Sequence, residues 1–327
     1  CDWSSDVCSS DLKQPRWFTA ALAWYFVAIW GSGFVATKTA LQYVAPLTFL
    51  SIRFALGIMC LIPFLMLTRP VWPATRREWL HVAVAGLLMH AIHLSGSHYS
   101  QYLGLSSGIV AVLLCAQPLI SAAIAARWMN ESLAPRQWLG VAAGLAGVIL
   151  IVWHKIDVRE ASAGALIAVT FALFGVTAGS LYQRVFCPSV DLRTSAMVQF
   201  TITLAVLAPL ALAFEDNTVR WSPPLIGALF YLVILGSLLA VSAWHYLLRH
   251  GEVTRVTSLI YLTPVFAIVP EYLFFGVVPS AMSALGIIIT CTGVALAAWK
   301  ARAPAPAKRS EEHTSELQSH SFISYAV

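Results

Sequence analysis

Charge is scarce in this chain. Lysine, arginine, aspartate and glutamate make up 11% of its 327 residues, less than half of the roughly 25% with which a soluble domain covers its surface. Hydrophobic residues reach 59% and the mean hydropathy is +0.76, so folding in water would leave a broad apolar skin exposed. That excludes an ordinary soluble protein. Long polar connections are missing as well, which leaves no room for a separate catalytic domain. Cysteine is sparse and unpaired: away from the ends, Cys60, Cys115, Cys187 and Cys291 stand singly, with neither metal-ligand spacing nor a disulfide framework. There is no HExxH and no pair of intramembrane aspartates, because Asp157, Asp191 and Asp216 all fall in expected loops. An intramembrane enzyme would need such an assembly. The net charge of +5 gathers on no one segment, so nothing points to nucleic acid.

What the chain does have is a repeat. At an offset of 146 positions, Phe54 falls on Phe200, Pro63 on Pro209, Pro118 on Pro264, Gly140 on Gly286 and Gly147 on Gly293. Prolines and glycines shape the backbone, so matches at one offset imply two copies of one structural unit. Ten apolar stretches are long enough to cross the roughly 30 Å hydrocarbon layer: near 17–37, 47–68, 79–103, 106–126, 137–153, 163–183, 195–214, 225–248, 256–277 and 281–299. The predicted fold is all-α and integral to the membrane, with a first five-helix repeat over 13–153 and a second over 154–300. Five spans per unit makes the second copy enter from the opposite side, giving inverted repeats around a shared path. With the N-terminus cytoplasmic, inside segments hold Lys13, Arg16, Arg69, Arg76, Arg77, Arg127, Arg136, Arg184, Arg193, Arg249, Arg255, Lys300, Arg302, Lys308 and Arg309. Outside segments hold only Lys38, Lys155, Arg159 and Arg220. The positive-inside rule therefore places both termini in the cytoplasm. Residues 1–12 and most of 301–327 are polar, Ser-rich and unrelated to the repeat; they read as translated sequencing-adapter sequence or as plain tails, and are set aside.

Several short motifs then fall in order along this frame: Trp30-Gly31-Ser32-Gly33-Phe34 followed by Lys38, Ser51-Ile52-Arg53-Phe54, Gln117-Pro118-Leu119 running to Asn130-Glu131-Ser132-Leu133, and Leu262-Thr263-Pro264-Val265. Over about residues 17–300 the chain resembles EamA-type members of the drug/metabolite transporter superfamily. The resemblance implies ten helices around a central cavity and export of small metabolites, often amino acids or related solutes. It also implies an acid after the ninth span, matching Glu131 after the fourth, yet Val277 stands there. Glu271 is a second departure, since an apolar residue is usual at its position.

Arg53 and Glu271 are the two formal charges inside the expected spans. An intramembrane charge costs about 2.5–3.5 kcal/mol on insertion scales, so each needs a partner or water. They lie at similar depth, which permits an ion pair, an outer gate, or a charge site for a zwitterion. Structural alternatives are a snorkelling Arg53 and a Glu271 bonded to backbone freed by Pro270. His90, His93, Ser97 and Gln101 form a polar stripe on the third span that lipid would penalise. That stripe lines a cavity or packs within protein, and the ligands needed for a metal or haem site are absent. Trp30, Gln117, Gln199, Trp244 and Tyr261 are further wall candidates, with Lys38 at the outer mouth. Pro118 and Pro264 are expected hinges. Gly140, Gly144 and Gly147 form a small-residue seam, either internal or at a homodimer contact. The reading that follows is an inner-membrane secondary transporter for a small solute, working by alternating access with histidine or Glu271 available for proton coupling. No cofactor is implied. A scaffold without transport, or an intramembrane enzyme, are the rival classes.

Overall fold

The computed structural model describes residues 16–68, 70–128, 134–157, 161–240, 243 and 262–298, all helical or in short turns between helices. The elements are α1 (Arg16–Ala40), α2 (Pro46–Thr68), α3 (Arg76–Gly86), α4 (His93–Tyr102), α5 (Ser107–Leu114), α6 (Gln117–Trp128), α7 (Pro135–Asp157), α8 (Ala163–Phe186), α9 (Leu192–Phe214), α10 (Pro223–Phe230), α11 (Thr263–Phe275) and α12 (Ala281–Ala298). Among the described residues, seven continuous segments are long and apolar enough to span a membrane, and three shorter apolar helices accompany them. The stretch at 137–153 is expected to be the shortest span; it is instead part of the 23-residue α7.

The surface is inverted relative to a soluble protein. Leu67, Phe214 and Phe274 are more than three-quarters exposed, while Ser100, Ser107, Thr194 and Thr203 are fully buried. Where the solvent is lipid, exposed apolar side chains cost nothing and buried polar ones need internal partners.

Two spans are interrupted in the same way. The third runs α3, a π-helical segment Leu87–Ile92, then α4; the eighth runs α10 into a π-helical segment Tyr231–Ala240. Shifted by 146, residues 87–92 become 233–238, inside the second segment. The widened turns in the third span press on α8, where a Cβ on Gly175 would sit 2.8 Å from the His93 nitrogen and the Leu88 carbonyl oxygen. The fourth span is broken too: α5 stops at a turn over Cys115–Ala116, and α6 restarts with Pro118 as its second residue. Pro264 is likewise second in α11. The expected hinge prolines therefore open helical segments, where proline's missing N–H is harmless, rather than bending a continuous helix.

Helices α7 and α12 make the tightest seam. A Cβ on Gly140 would lie 2.7 Å from the Gly293 oxygen, one on Gly147 would lie 2.8 Å from the Gly286 oxygen, and one on Gly293 would lie 2.3 Å from the Gly144 nitrogen. The pairs 140–293 and 147–286 run in opposite senses, so the helices cross antiparallel, each glycine meeting the repeat mate of the other. This resolves the sequence alternative for the glycine stripe: it is filled within the chain. Gly293→Ala is expected to lower the thermal midpoint in detergent, since overpacking a tight contact costs about 1–3 kcal/mol. Gly227→Ala, with nothing within 4 Å of its Cβ position, should leave the midpoint within error or raise it. Equal midpoints for both variants would contradict the seam.

Candidate functional site

Glu271 is 2% exposed, and its partner is Lys38. The Lys38 Nζ lies 2.6 Å from Glu271 Oε1 and 4.9 Å from the Phe275 ring centroid. The same carboxylate accepts from the Ser107 nitrogen at 2.8 Å through Oε1 and from the Gly108 nitrogen at 2.8 Å through Oε2. These are first-turn amides of α5, the orphan donors every helix start must satisfy. The third is covered locally, by Ser106 Oγ accepting from the Ile109 nitrogen at 3.3 Å. Gly104, at φ +105°, makes the reversal that brings Ser106 into place. Similar depth permits an Arg53–Glu271 pair from sequence; the acid is instead held by a lysine and two backbone amides, none of them freed by Pro270.

A second acid does the same work for α2. Its preceding residue, Ala45, has no capping side chain. Glu215, just past α9, accepts from the Leu47 nitrogen at 2.9 Å, the Thr48 nitrogen at 2.8 Å, the Thr48 hydroxyl at 2.8 Å and the Tyr99 hydroxyl at 2.7 Å. Asn217, left-handed at φ 54°, donates to the Ala211 carbonyl at 3.1 Å and ends α9. Both acids come from the second half of the chain, both hold helices of the first half, and both lie at the end where α1 finishes and α2 begins.

Beside these contacts lies a cavity of about 210 Å³, lined from both halves by Trp30, Thr37, Arg53, His93, Ser97, His98, Gln117, Pro118, Leu232, Gly236 and Thr263 among others. At 1.5 Å per residue its deepest wall, Gln117 and Val294, sits roughly 15–20 Å from that end, near the middle of a bilayer. Arg53 donates to the Ser237 hydroxyl at 3.4 Å, a long contact, and among the described residues no carboxylate pairs with it. His93 lines the cavity and meets the Ala172 carbonyl at 3.1 Å through Nδ1. His98, further round the same span, is 3% exposed. Neither of its ring nitrogens makes a well-formed hydrogen bond; the Leu94 carbonyl one turn back only brushes the ring.

Other expected wall residues separate. His90 turns from the cavity to the Gln199 side-chain oxygen at 3.0 Å, wedged against Phe54 and Phe200 at 5.6 and 5.3 Å. Gln199 donates onward to Gln183 at 3.2 Å and Ser195 at 2.9 Å. Gln101 accepts from Ser107 at 3.3 Å and is buried outside the cavity wall. Gln117 reaches the cavity and is held by Ser121 at 3.0 Å and Ser180 at 2.9 Å. Trp244, Tyr261 and Glu131 lie outside the described residues. Sequence reasoning missed Glu215, which sits outside the spans, Thr263 as a wall residue, and His98, which lies further round the third span than the stripe. Among the described residues no cluster of metal ligands forms.

These features define a polytopic membrane protein built from two related halves, with a largely apolar cavity carrying a few polar groups between them. The chain belongs to the EamA-like transporter family, whose model matches residues 17–153 and again 162–299. It is similar to the uncharacterized transporter YvbV of Bacillus subtilis, 26% identical over 299 residues covering 89% of this chain and 95% of that one. It is also similar to the uncharacterized inner membrane transporter YedA of Escherichia coli K12, 27% identical over 253 residues, 77% of this chain and 80% of the other. A Salmonella typhimurium protein named "Probable amino-acid metabolite efflux pump" is 23% identical over 84% of this chain and 92% of its own. A solved crystal structure at 19% identity superposes with a TM-score of 0.59 over 86% of this chain and 97% of that one, which shows a shared fold.

Glu271→Leu should cost about 3 kcal/mol or more, because it strands a lysine and two helix-start amides. In a double-mutant cycle with Lys38→Met, read by denaturation in mild detergent, the two losses should fall short of additivity by more than about 0.5 kcal/mol. Additive losses would mean the pair is not formed.

Proposed function

We propose that this protein is an inner-membrane secondary transporter that exports small metabolites, amino acids or related solutes, by alternating access. The observation that carries the reading is a mid-depth cavity lined from both halves and closed at one end by acids of one half gripping helix starts of the other. A carrier needs such a site, exposed to one side at a time. The antiparallel crossing of α7 and α12, which are repeat mates, supports two inverted five-helix units over 13–153 and 154–300. The distribution of basic residues puts the Lys38–Glu271 end outside, with both termini cytoplasmic, so this conformation is closed to the exterior.

Outward opening then requires Glu271 and Glu215 to release α5 and α2. At 146 positions earlier the chain has Ala125 and Arg69, so the opposite end lacks matching acids at those places. The break before Pro118, the helix start at Thr263 and Pro264, and the paired π-helical segments are the weak points about which the units would move, since their backbone bonds are already incomplete. His93, in the cavity wall, and Glu271, at the closed end, are the groups available to carry a coupling proton.

Purified protein in liposomes should show counterflow of labelled amino acids or their derivatives when the same unlabelled solute is inside. No counterflow above protein-free liposomes across a panel of such solutes, from a monodisperse preparation, would sink the reading. For the coupling role, His93→Gln or Glu271→Gln should flatten the rate profile between about pH 5 and 8. Profiles unchanged in both variants would take proton coupling out of the mechanism.

A further inference from the structure

The cavity wall narrows the chemistry of the solute, an inference that rests on the transport reading. Among the described residues its one fixed charge is the Arg53 guanidinium, and none of those lining it is an aspartate or glutamate. Lys38 does not compete, because Glu271 already holds it. Two further polar side chains of the same wall, His98 and Thr263, are each 3% exposed and bury nitrogen or hydroxyl atoms that no well-formed hydrogen bond satisfies. A native fold rarely leaves such groups unmet without a use for them. The remaining wall is largely apolar, including Leu94, Leu114, Val176 and Leu232. The volume, about 210 Å³, lies below the 300–1,000 Å³ usual for drug-sized ligands.

We propose that the cavity binds a small organic anion with an apolar body. Its carboxylate pairs with Arg53 and takes hydrogen bonds from His98 and Thr263, and its hydrocarbon part lies against Trp30 and the aliphatic wall. Guanidinium is suited to this because its fork matches a carboxylate. An ammonium group would meet no acid here and would sit near Arg53, so amines and zwitterions are disfavoured. Among solutes related to amino acids, the site selects those lacking the amino group.

The test is isothermal titration of the purified full chain in detergent at pH 7 with four probes of one skeleton: 4-methylpentanoate, 4-methylpentanamide, leucine and isoamylamine. The acid should bind at least about tenfold more tightly than the amide or leucine, as expected for a charge-assisted contact out of water, and the amine should not bind. Arg53→Gln should bring acid and amide together, whereas Arg53→Lys should keep a preference for the acid. His98→Ala should weaken the acid more than the amide. Equal binding of acid and amide, tighter binding of leucine, an undiminished preference in Arg53→Gln, or no acid binding at millimolar concentration would overturn the proposal. Titration requires no turnover, so failures are separable. Acid binding by a protein silent in counterflow of that same labelled acid counts against transport alone, and leucine counterflow without acid binding counts against the anion site alone.

Discussion

The carboxylate of Glu271 ties together three helices that are distant in sequence. In hydrocarbon there is no water to satisfy the first amides of a helix, so a start buried near the membrane must find acceptors within the protein. Glu271 supplies two of them to α5 and offsets its own charge with Lys38 on α1. Glu215 repeats the arrangement at α2 with four donors. Because both acids belong to the second half and both helix starts to the first, the requirement that backbone groups be paired becomes the contact that closes one end of the bundle.

The same economy of backbone hydrogen bonds explains where the helices are irregular. The π-helical segments at 87–92 and 231–240 and the break at Cys115–Ala116 lie around the cavity or against close-packed glycines, never on the lipid-facing surface alone. Irregular backbone at membrane depth is tolerated only where protein or a polar cavity receives its unpaired groups. The seam of α7 and α12 is the regular counterpart: glycine against glycine, backbone in contact with backbone. One part of the bundle is thus clamped by packing and another is left adjustable, which suits a protein whose family moves solutes.

Much of this was legible in the residues. Among the described residues, hydropathy located seven spanning segments to within a few positions, because twenty apolar residues in a row have few other fates. The duplication was legible from proline and glycine, and the family model matches both halves. The stripe on the third span was legible because lipid rejects polar faces, and Ser97 and Gln101 are buried. Pairing was not legible. Depth alone made Arg53 and Glu271 plausible partners, but depth fixes one coordinate of three, and the neighbour of Glu271 is Lys38. Nor could sequence reveal that His90 turns toward Gln199 while His98 faces the cavity. A widened helical turn between them changes which side of the helix each presents.

Sequence alone therefore determined that this chain lives in lipid, that it is built twice, and which rare polar groups require an internal environment, since these follow from transfer energies and backbone stereochemistry residue by residue. Tertiary structure decided which acid meets which cation, which helix starts are capped from 168 and 164 positions away, and that Arg53 is left facing a cavity without a described counter-charge. Those outcomes depend on the rotation and register of packed helices, and no local property of the chain encodes them.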